Sequence, residues 1–370
     1  MKKFLFWSLI GLVVISFANC KHDKVDPSPV PVANSHFWVY GGTEGGYALL
    51  LHTTDGGKTW IRQGNAGQFP SKGFIDGDAM DVNTALLLAA PDQMGESYYY
   101  LTMDQGISWE KMSFTTKNGK SILDPPQVRG TDSRDQTTWM VGYPNLIQYQ
   151  RAVVPHWINR DSPDPSHQRS FFIVKMGAGD KVWIGDSLQL WSSTDMGLTW
   201  VNHDLFAQFQ FSGNWWYNEI ATFNQRVVVA AFLTGSYSAR ALFKSYDDGN
   251  TWEVISNREE GECWNKLFIA SESEVLLVAK NEPVYSLNSE DTWETYSFEN
   301  YQNTNLQDLF AVGKEWFVCG SSTAPAVSLL IYYSPDGGTT WEDRSPAIQP
   351  DISRFDSTEI QFIPIPGNGP

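Results

Sequence analysis

With 370 residues, 42% of them hydrophobic and 14% aromatic, the chain can bury a large core. Acidic residues outnumber basic ones 42 to 26, a formal net charge of −16, so nucleic acid and anionic lipid headgroups are poor partners.

In chain order, Lys2 and Lys3 precede an apolar run from Phe4 to Phe17, too short to span a bilayer comfortably, which ends in Phe17-Ala18-Asn19-Cys20. The segment resembles a bacterial lipoprotein signal. That resemblance implies removal of residues 1–19, acylation of Cys20, and a lipid-anchored place in the cell envelope, on the outer membrane and facing the periplasm or the surface. Phe17 and Asn19 depart from the usual Leu and small residue, and ordinary secretion with Cys20 as a chance thiol is the alternative. Residues 20–35, with Pro27, Pro29 and Pro31, read as a tether that reaches about 45 Å when stretched as polyproline. Loss of Lys2 and Lys3 leaves 24 basic against 42 acidic residues, a net of −18.

Residues 36–370 read as one domain of repeats. The phrase Ser/Thr-x-Asp-x-Gly-x-Thr/Ser-Trp runs from Thr53 to Trp60, Thr102 to Trp109, Ser193 to Trp200, Ser245 to Trp252 and Ser334 to Trp341. A decayed copy from Ser286 to Trp293 has Asn288 for Asp and Glu290 for Gly. Trp157, preceded by the strand-like Leu146–Gln150, fills the gap of 91 residues between Trp109 and Trp200. Successive tryptophans then lie 49, 48, 43, 52, 41 and 48 residues apart, which gives seven repeats.

The residue types suit a tight link between antiparallel strands. Gly supplies the positive φ, the carboxylates of Asp55, Asp104, Asp195, Asp247 and Asp336 accept turn N–H groups, and the closing Trp rings bury against the blades. Trp60, Trp109 and Trp341 therefore read as core. Apolar runs are short, β-branched or aromatic, so helix content should be very low. In the second repeat the strands are expected near Ala79–Val82, Thr84–Ala90, Ser97–Thr102 and Ser108–Met112, and four strands per period is the signature of a propeller blade. The first repeat starts at Phe37–Tyr40 without an innermost strand, and Glu359–Pro364 is a strand without partners. The tail is expected to complete blade one, giving an all-β, seven-bladed propeller closed by its C-terminal strand.

These turns resemble Asp boxes, or BNR repeats, shared by sialidases, sortilin-type receptors, xyloglucanases and photosystem II assembly factor-like propellers. The phrase His52–Trp60 resembles the last group most, over residues 36–366. The resemblance implies a single seven-bladed domain that holds or recognises another molecule. Fold alone does not transmit activity. A sialidase needs an arginine motif before the first box, and the segment before Thr53 has no arginine; two facing propellers, as in xyloglucanases, are not encoded. Glu219, Glu259, Glu260, Asp92 and Asp308 are the carboxylates a glycosidase would draw on.

No catalytic residue, metal ligand set or cofactor is implied: the six histidines lack HxxxH or HxH spacing, and the turn aspartates supply too few oxygens for calcium. Cys263 and Cys319 lie 56 residues apart in different repeats, and their pairing stays open. The rim opposite the turns should hold any binding face. Its candidates are Trp215, Trp216 and Tyr217 entering blade five, Trp264 entering blade six, Arg160 and Arg169 before blade four, and Arg129 and Arg354 in blades three and one. Clustered aromatics near polar groups suit a protein hot spot or sugar stacking. Trp216 and Trp264 can also be read as plugs of the central channel. The expectation is a monomeric, non-catalytic envelope lipoprotein that binds a protein partner, with a glycan binder or glycoside hydrolase as the alternative.

Overall fold

A computed structural model describes residues 36–365, apart from 45–46, 65–67, 71–72, 91–96, 115–126, 135, 144–145, 152–156, 165, 167–168, 235–238, 259–263, 323–327 and 348–359. Its strands form seven antiparallel sheets of four, a seven-bladed propeller. Blades two to seven each use four consecutive strands, in the order in which the chain makes them. In blade two these are Phe74–Ala79, Ala85–Ala89, Tyr98–Thr102 and Glu110–Ser113. The innermost strand thus lies ahead of the expected Ala79–Val82, because Met80 to Asn83 form the turn to the next strand, where Met80 N–H donates to the Thr84 carbonyl. Among the described residues, helix is confined to one turn at Leu205–Gln208 and a 3-10 turn at Tyr301–Asn303.

Blade one closes the ring. Its outer strands are Phe37–Glu44, Tyr47–Thr53 and Ile61–Arg62, and its innermost strand is Gln361–Pro364 from the far end of the chain. Four residues of the tail pair with Phe37 to Tyr40, and Ile360, Phe362 and Ile363 are buried there. Phe37 lies opposite both Thr53, where the first repeated turn begins, and Pro364. The chain therefore enters the propeller on the face that carries the repeated turns.

Every intact turn has the same internal bonding. In the first, Thr53 Oγ1 accepts the Gly57 N–H at 2.8 Å and donates to Asp55 Oδ1, which also accepts the Thr59 N–H; Asp55 Oδ2 takes the Thr59 hydroxyl at 2.7 Å. Thr102, Ser193, Ser245 and Ser334 repeat the first of these bonds at 2.7–2.8 Å. The Gly after it is obligatory at φ +84 in blade five, where a Cβ on Gly249 would fall 2.3 Å from the Trp183 ring. Bonds from Thr199 and Ser193 hold the Asp195 carboxyl down at about 2. In the decayed turn Asn288 Oδ1 still accepts two N–H groups, from Glu290 and Thr292, while Ser286 Oγ has turned away to Glu274. The left-handed position passes to Asp291. Ser245→Ala strands the buried Gly249 N–H and should cost about 1–2 kcal/mol in urea denaturation.

The closing tryptophans join blades. Trp60 Nε1 donates to the Arg344 carbonyl at the exit of blade seven, Trp109 Nε1 to Gln63 at the exit of blade one, and Trp200 Nε1 to the Asp161 carbonyl after blade three. Trp157 takes the same place in blade three, edge-on to Tyr99 and Phe114 of blade two. Trp109, Trp157 and Trp252 are buried, whereas Trp60, Trp200, Trp293 and Trp341 are half-buried. Each buried ring contributes roughly 2–3 kcal/mol as an upper value. The core is accordingly seven clusters, one between each pair of neighbouring blades.

Candidate binding site at the mouth of the central channel

An innermost strand pairs with its own blade along one edge and turns the other to the central channel, where its N–H and C=O groups meet no further strand. Side chains of the neighbouring blade satisfy them. Asp76 Oδ2 accepts the Thr131 N–H at 2.7 Å, Asp78 Oδ2 that of Ser133, Asp132 Oδ2 that of Met176 at 2.7 Å and Asp308 Oδ2 that of Phe362 at 2.8 Å. Amides do the same nearer the strand starts. Asn218 Nδ2 donates to the Trp264 carbonyl, Asn265 Nδ2 to that of Leu306, and Gln307 Oε1 accepts the Ile360 N–H. The polar residues that interrupt these strands are thus stitches between blades.

They enclose a cavity of about 510 Å³, within the range of roughly 300–1,000 Å³ typical of ligand pockets. Its charged lining comprises the carboxylates of Asp76, Asp78, Asp132, Glu219 and Asp308 and the cations of Arg129, Lys175 and Lys266. Lys175 Nζ lies 2.6 Å from Asp132, and Lys266 Nζ 3.5 Å from Glu219. Burial opposes the charge on Lys175, but the carboxylates of Asp132 and Asp78 together raise the amine's pKa; for Lys266 burial is likewise outweighed by Glu219, Asp308 and the more distant Asp76 and Asp132 together. Both lysines keep surface, 35% and 27%, only because the channel itself admits solvent. Burial, then repulsion by Asp132, pushes the Asp78 carboxyl up to about 8; burial also raises that of Asp308 against the pull of Lys266.

The ring has one uneven level. In blades two, three, five, six and seven a bulge near the start of the innermost strand throws one extra residue toward the channel: Ile75, Arg129, Asn218, Asn265 and Gln307. Phe172, just before Ile173–Met176, holds the corresponding place in blade four. The three amides are tied to the next blade, as above. Ile75, Arg129 and Phe172 are not, and Arg129 is exposed, with no hydrogen bond or ion pair among the described residues. Phe172 is 37% exposed. Strand starts lie on the face opposite the repeated turns, so this is the mouth of the channel on that face.

The other sequence candidates disperse. Trp216, in Trp215–Phe223 of blade five, is 43% exposed and edge-on to Phe232, beside the mouth. Trp215, Tyr217 and Trp264 are buried: Tyr217 stacks on Phe206, and Trp264 stacks with Trp293 and lies under the Arg240 guanidinium. Neither Trp216 nor Trp264 is among the described residues lining the cavity, whose aromatic members are Phe172, Phe268, Phe310 and Phe362. Arg160 lies over the Tyr149 ring and donates to the Met196 carbonyl in the turn of blade four, bolting blades three and four together. Arg169 pairs with Asp186 at 2.5 Å, over the Trp191 ring. Cys319 is a buried thiol whose pKa burial raises well above its usual value; Cys20, Cys263, Glu259, Glu260, Asp92 and Arg354 lie outside the described residues.

Sequence reading missed Phe172, Lys175 and the neighbouring Asp76 and Asp78. The signal was there as isolated polar residues in otherwise apolar inner strands, Ile75-Asp76-Gly77-Asp78-Ala79 being the plainest. Their shared place on the channel needs the seven-fold register.

No family model matches the chain, and no curated protein does. Among solved structures, the chain is similar to one described as YCF48 bound to D1 peptide, with a TM-score of 0.54 at 15% identity over 73% of this chain and 81% of that one. YCF48 from Cyanidioschyzon merolae gives 0.55 at 13% over 73% and 84%. An ancestral GH74 enzyme gives 0.57 at 12%, over 84% of this chain but 46% of that one. At these identities the likeness shows the fold, a propeller of the type that YCF48 and GH74 enzymes share.

Proposed function

We propose that the chain is a lipid-anchored, non-catalytic scaffold of the cell envelope that holds a protein partner on the channel-mouth face. The observation that carries this reading is the group of exposed side chains around the mouth in three consecutive blades, Arg129, Phe172 and Trp216; the first two stand at the level that blades five, six and seven spend on bonds to the next blade. An arginine followed round the ring by two exposed aromatics has the composition of a protein hot spot. A propeller of similar fold is described as YCF48 bound to D1 peptide, which agrees with this use of the fold.

Topology supports one orientation of such a scaffold. A tether attached at Cys20 would reach the domain at Phe37, on the turn face, and leave the mouth pointing away from the membrane. Cys20→Ser should shift the protein from the membrane to the soluble fraction and abolish incorporation of labelled palmitate. Labelling that persists, or a membrane fraction unchanged by the substitution, would remove the anchor.

The channel carboxylates that a hydrolase would draw on are already engaged, Glu219 by Lys266 and Asp308 by the Phe362 N–H. Affinity capture from envelope extracts tests the two readings together. The scaffold reading expects a protein captured by the native chain and reduced at least tenfold by Trp216→Ala with Phe172→Ala. Turnover of a glycoside that Glu219→Gln abolishes would replace it with the carbohydrate-active reading.

A further inference from the structure

We infer that the face of repeated turns is a membrane-contact surface, whose tips on blades two and four set apolar side chains into the interfacial layer of a zwitterionic bilayer. This deepens the scaffold reading and rests on it for the way the domain faces. Among the described residues the five most exposed large apolar side chains are Ile107 at 87%, Leu198 at 70%, Val201, Met103 and Ile61, and all five stand at the turn end of their blades. Met103, Ile107 and Leu198 belong to the turns themselves, while Val201 and Ile61 open the outer strands that leave them, opposite Ser192 and His52. Single exposed apolar residues are ordinary on a protein surface, but their concentration at one end of the molecule is not.

Turn chemistry does not ask for these residues. The position after the bonded Gly is exposed in every intact turn, and it is Lys58, Asn250 or Thr339 in blades one, five and seven but Ile107 and Leu198 in blades two and four. Tyr246, in the turn of blade five, adds a half-exposed ring of the kind that settles at headgroup level. What lies against this face follows from where the chain enters it. Phe37 stands on the turn face, and residues 20–35 reach about 45 Å from an acylated Cys20, so the tips stay near the bilayer and even a weak contact is filled at high effective concentration. Charge then selects the lipid. The carboxylate of Asp195, held down at about 2, and its counterparts in the other turns put negative charge beside each tip. They repel anionic headgroups and attract the ammonium groups of phosphatidylcholine and phosphatidylethanolamine. A protein on the same face would have to strip water from these charges, whereas headgroups keep them wet.

A photoreactive residue placed singly at positions 103, 198 and 188 reads the contact. The full acylated chain is reconstituted in phosphatidylcholine vesicles carrying a trace of radiolabelled phospholipid, and the lipid joined to the protein on illumination is counted. Positions 103 and 198 should take up about tenfold more lipid than position 188, where Leu188 is 51% exposed in the link between Val182–Gly185 and Leu190–Ser193 on the mouth face. Ile107→Asp with Leu198→Asp should cut the uptake at position 103 about tenfold, and replacing part of the phosphatidylcholine by phosphatidylglycerol should lower it as well. Both substituted side chains are exposed, so the urea midpoint, measured alongside, should not move. Equal uptake at 103 and 188, uptake at 103 that ignores the double substitution, or uptake that rises with phosphatidylglycerol overturns the inference. A chain held on the vesicles through Cys20 whose positions 103 and 198 take up no lipid sinks the contact and leaves the anchor standing. Lipid uptake at those positions by a chain whose Cys20 carries no acyl group sinks the anchor and leaves the contact standing.

Discussion

Removal of residues 361–370 is expected to unfold the domain or lower its urea midpoint so far that it collects as aggregate. The deletion takes away Phe362 and Ile363, both buried, at about 1.5–3 kcal/mol each, together with a strand that pairs four residues of blade one. It also strands Asp308, whose carboxylate loses the Phe362 N–H, and opens the inner edge of Phe37–Glu44 to other chains. A domain is stable by only about 5–15 kcal/mol, so the loss approaches the whole. A synthetic peptide of residues 360–365, added during refolding, should restore the native circular dichroism spectrum. A truncated chain as stable as the native one would show that the ring is not latched by its tail.

Lys266→Met is expected to destabilise the domain by about 2–3 kcal/mol at neutral pH, less than the roughly 3–5 of a fully buried pair because channel water screens the charges. The substitution leaves Glu219 and Asp308 facing each other without their shared counter-charge. Lys266→Met with Glu219→Gln should recover most of the loss. The deficit should also shrink as pH falls, because protonation removes the uncompensated charge. Asp78 adds a slope of its own. Its folded pKa is about 8 against roughly 3.9 in an unfolded chain, so the unfolded state gives up a proton that the folded state keeps. Its contribution is therefore fully present below about pH 4 and is lost as pH rises through 8. The urea midpoint should fall between pH 5 and pH 8.5, and fall less in Asp78→Asn.

Much of the architecture was legible because it is written in turns. A turn chemistry that fixes Asp, Gly and Trp at set spacing marks each blade, and the lone Trp157 sufficed to place blade three where the turn itself is absent. The tail strand was legible as an apolar segment without a partner, complementary to a first repeat that lacked one. The innermost strand of blade two was misplaced toward Val82 because its real residues, Phe74 to Ala79, are interrupted by Asp76, Gly77 and Asp78. Those polar residues are there for the channel, which a strand read by alternation does not anticipate.

The site was less legible for a related reason. Tryptophans entering blades five and six were conspicuous as a cluster, yet adjacent side chains on a strand point to opposite faces. Trp215 and Tyr217 therefore go inward and Trp216 outward. Arg129 looked no different in sequence from Arg160, which binds the neighbouring turn. What separates them is a bulge, and bulges are read from register.

Site-directed photo-crosslinking in intact cells tests the central claim, that a partner sits on the mouth face. A photoreactive residue in place of Phe172 should yield a covalent adduct with one protein, and the same residue in place of Ile107, 87% exposed on the turn face, should yield none. Adducts from position 107 with none from position 172 would contradict the account.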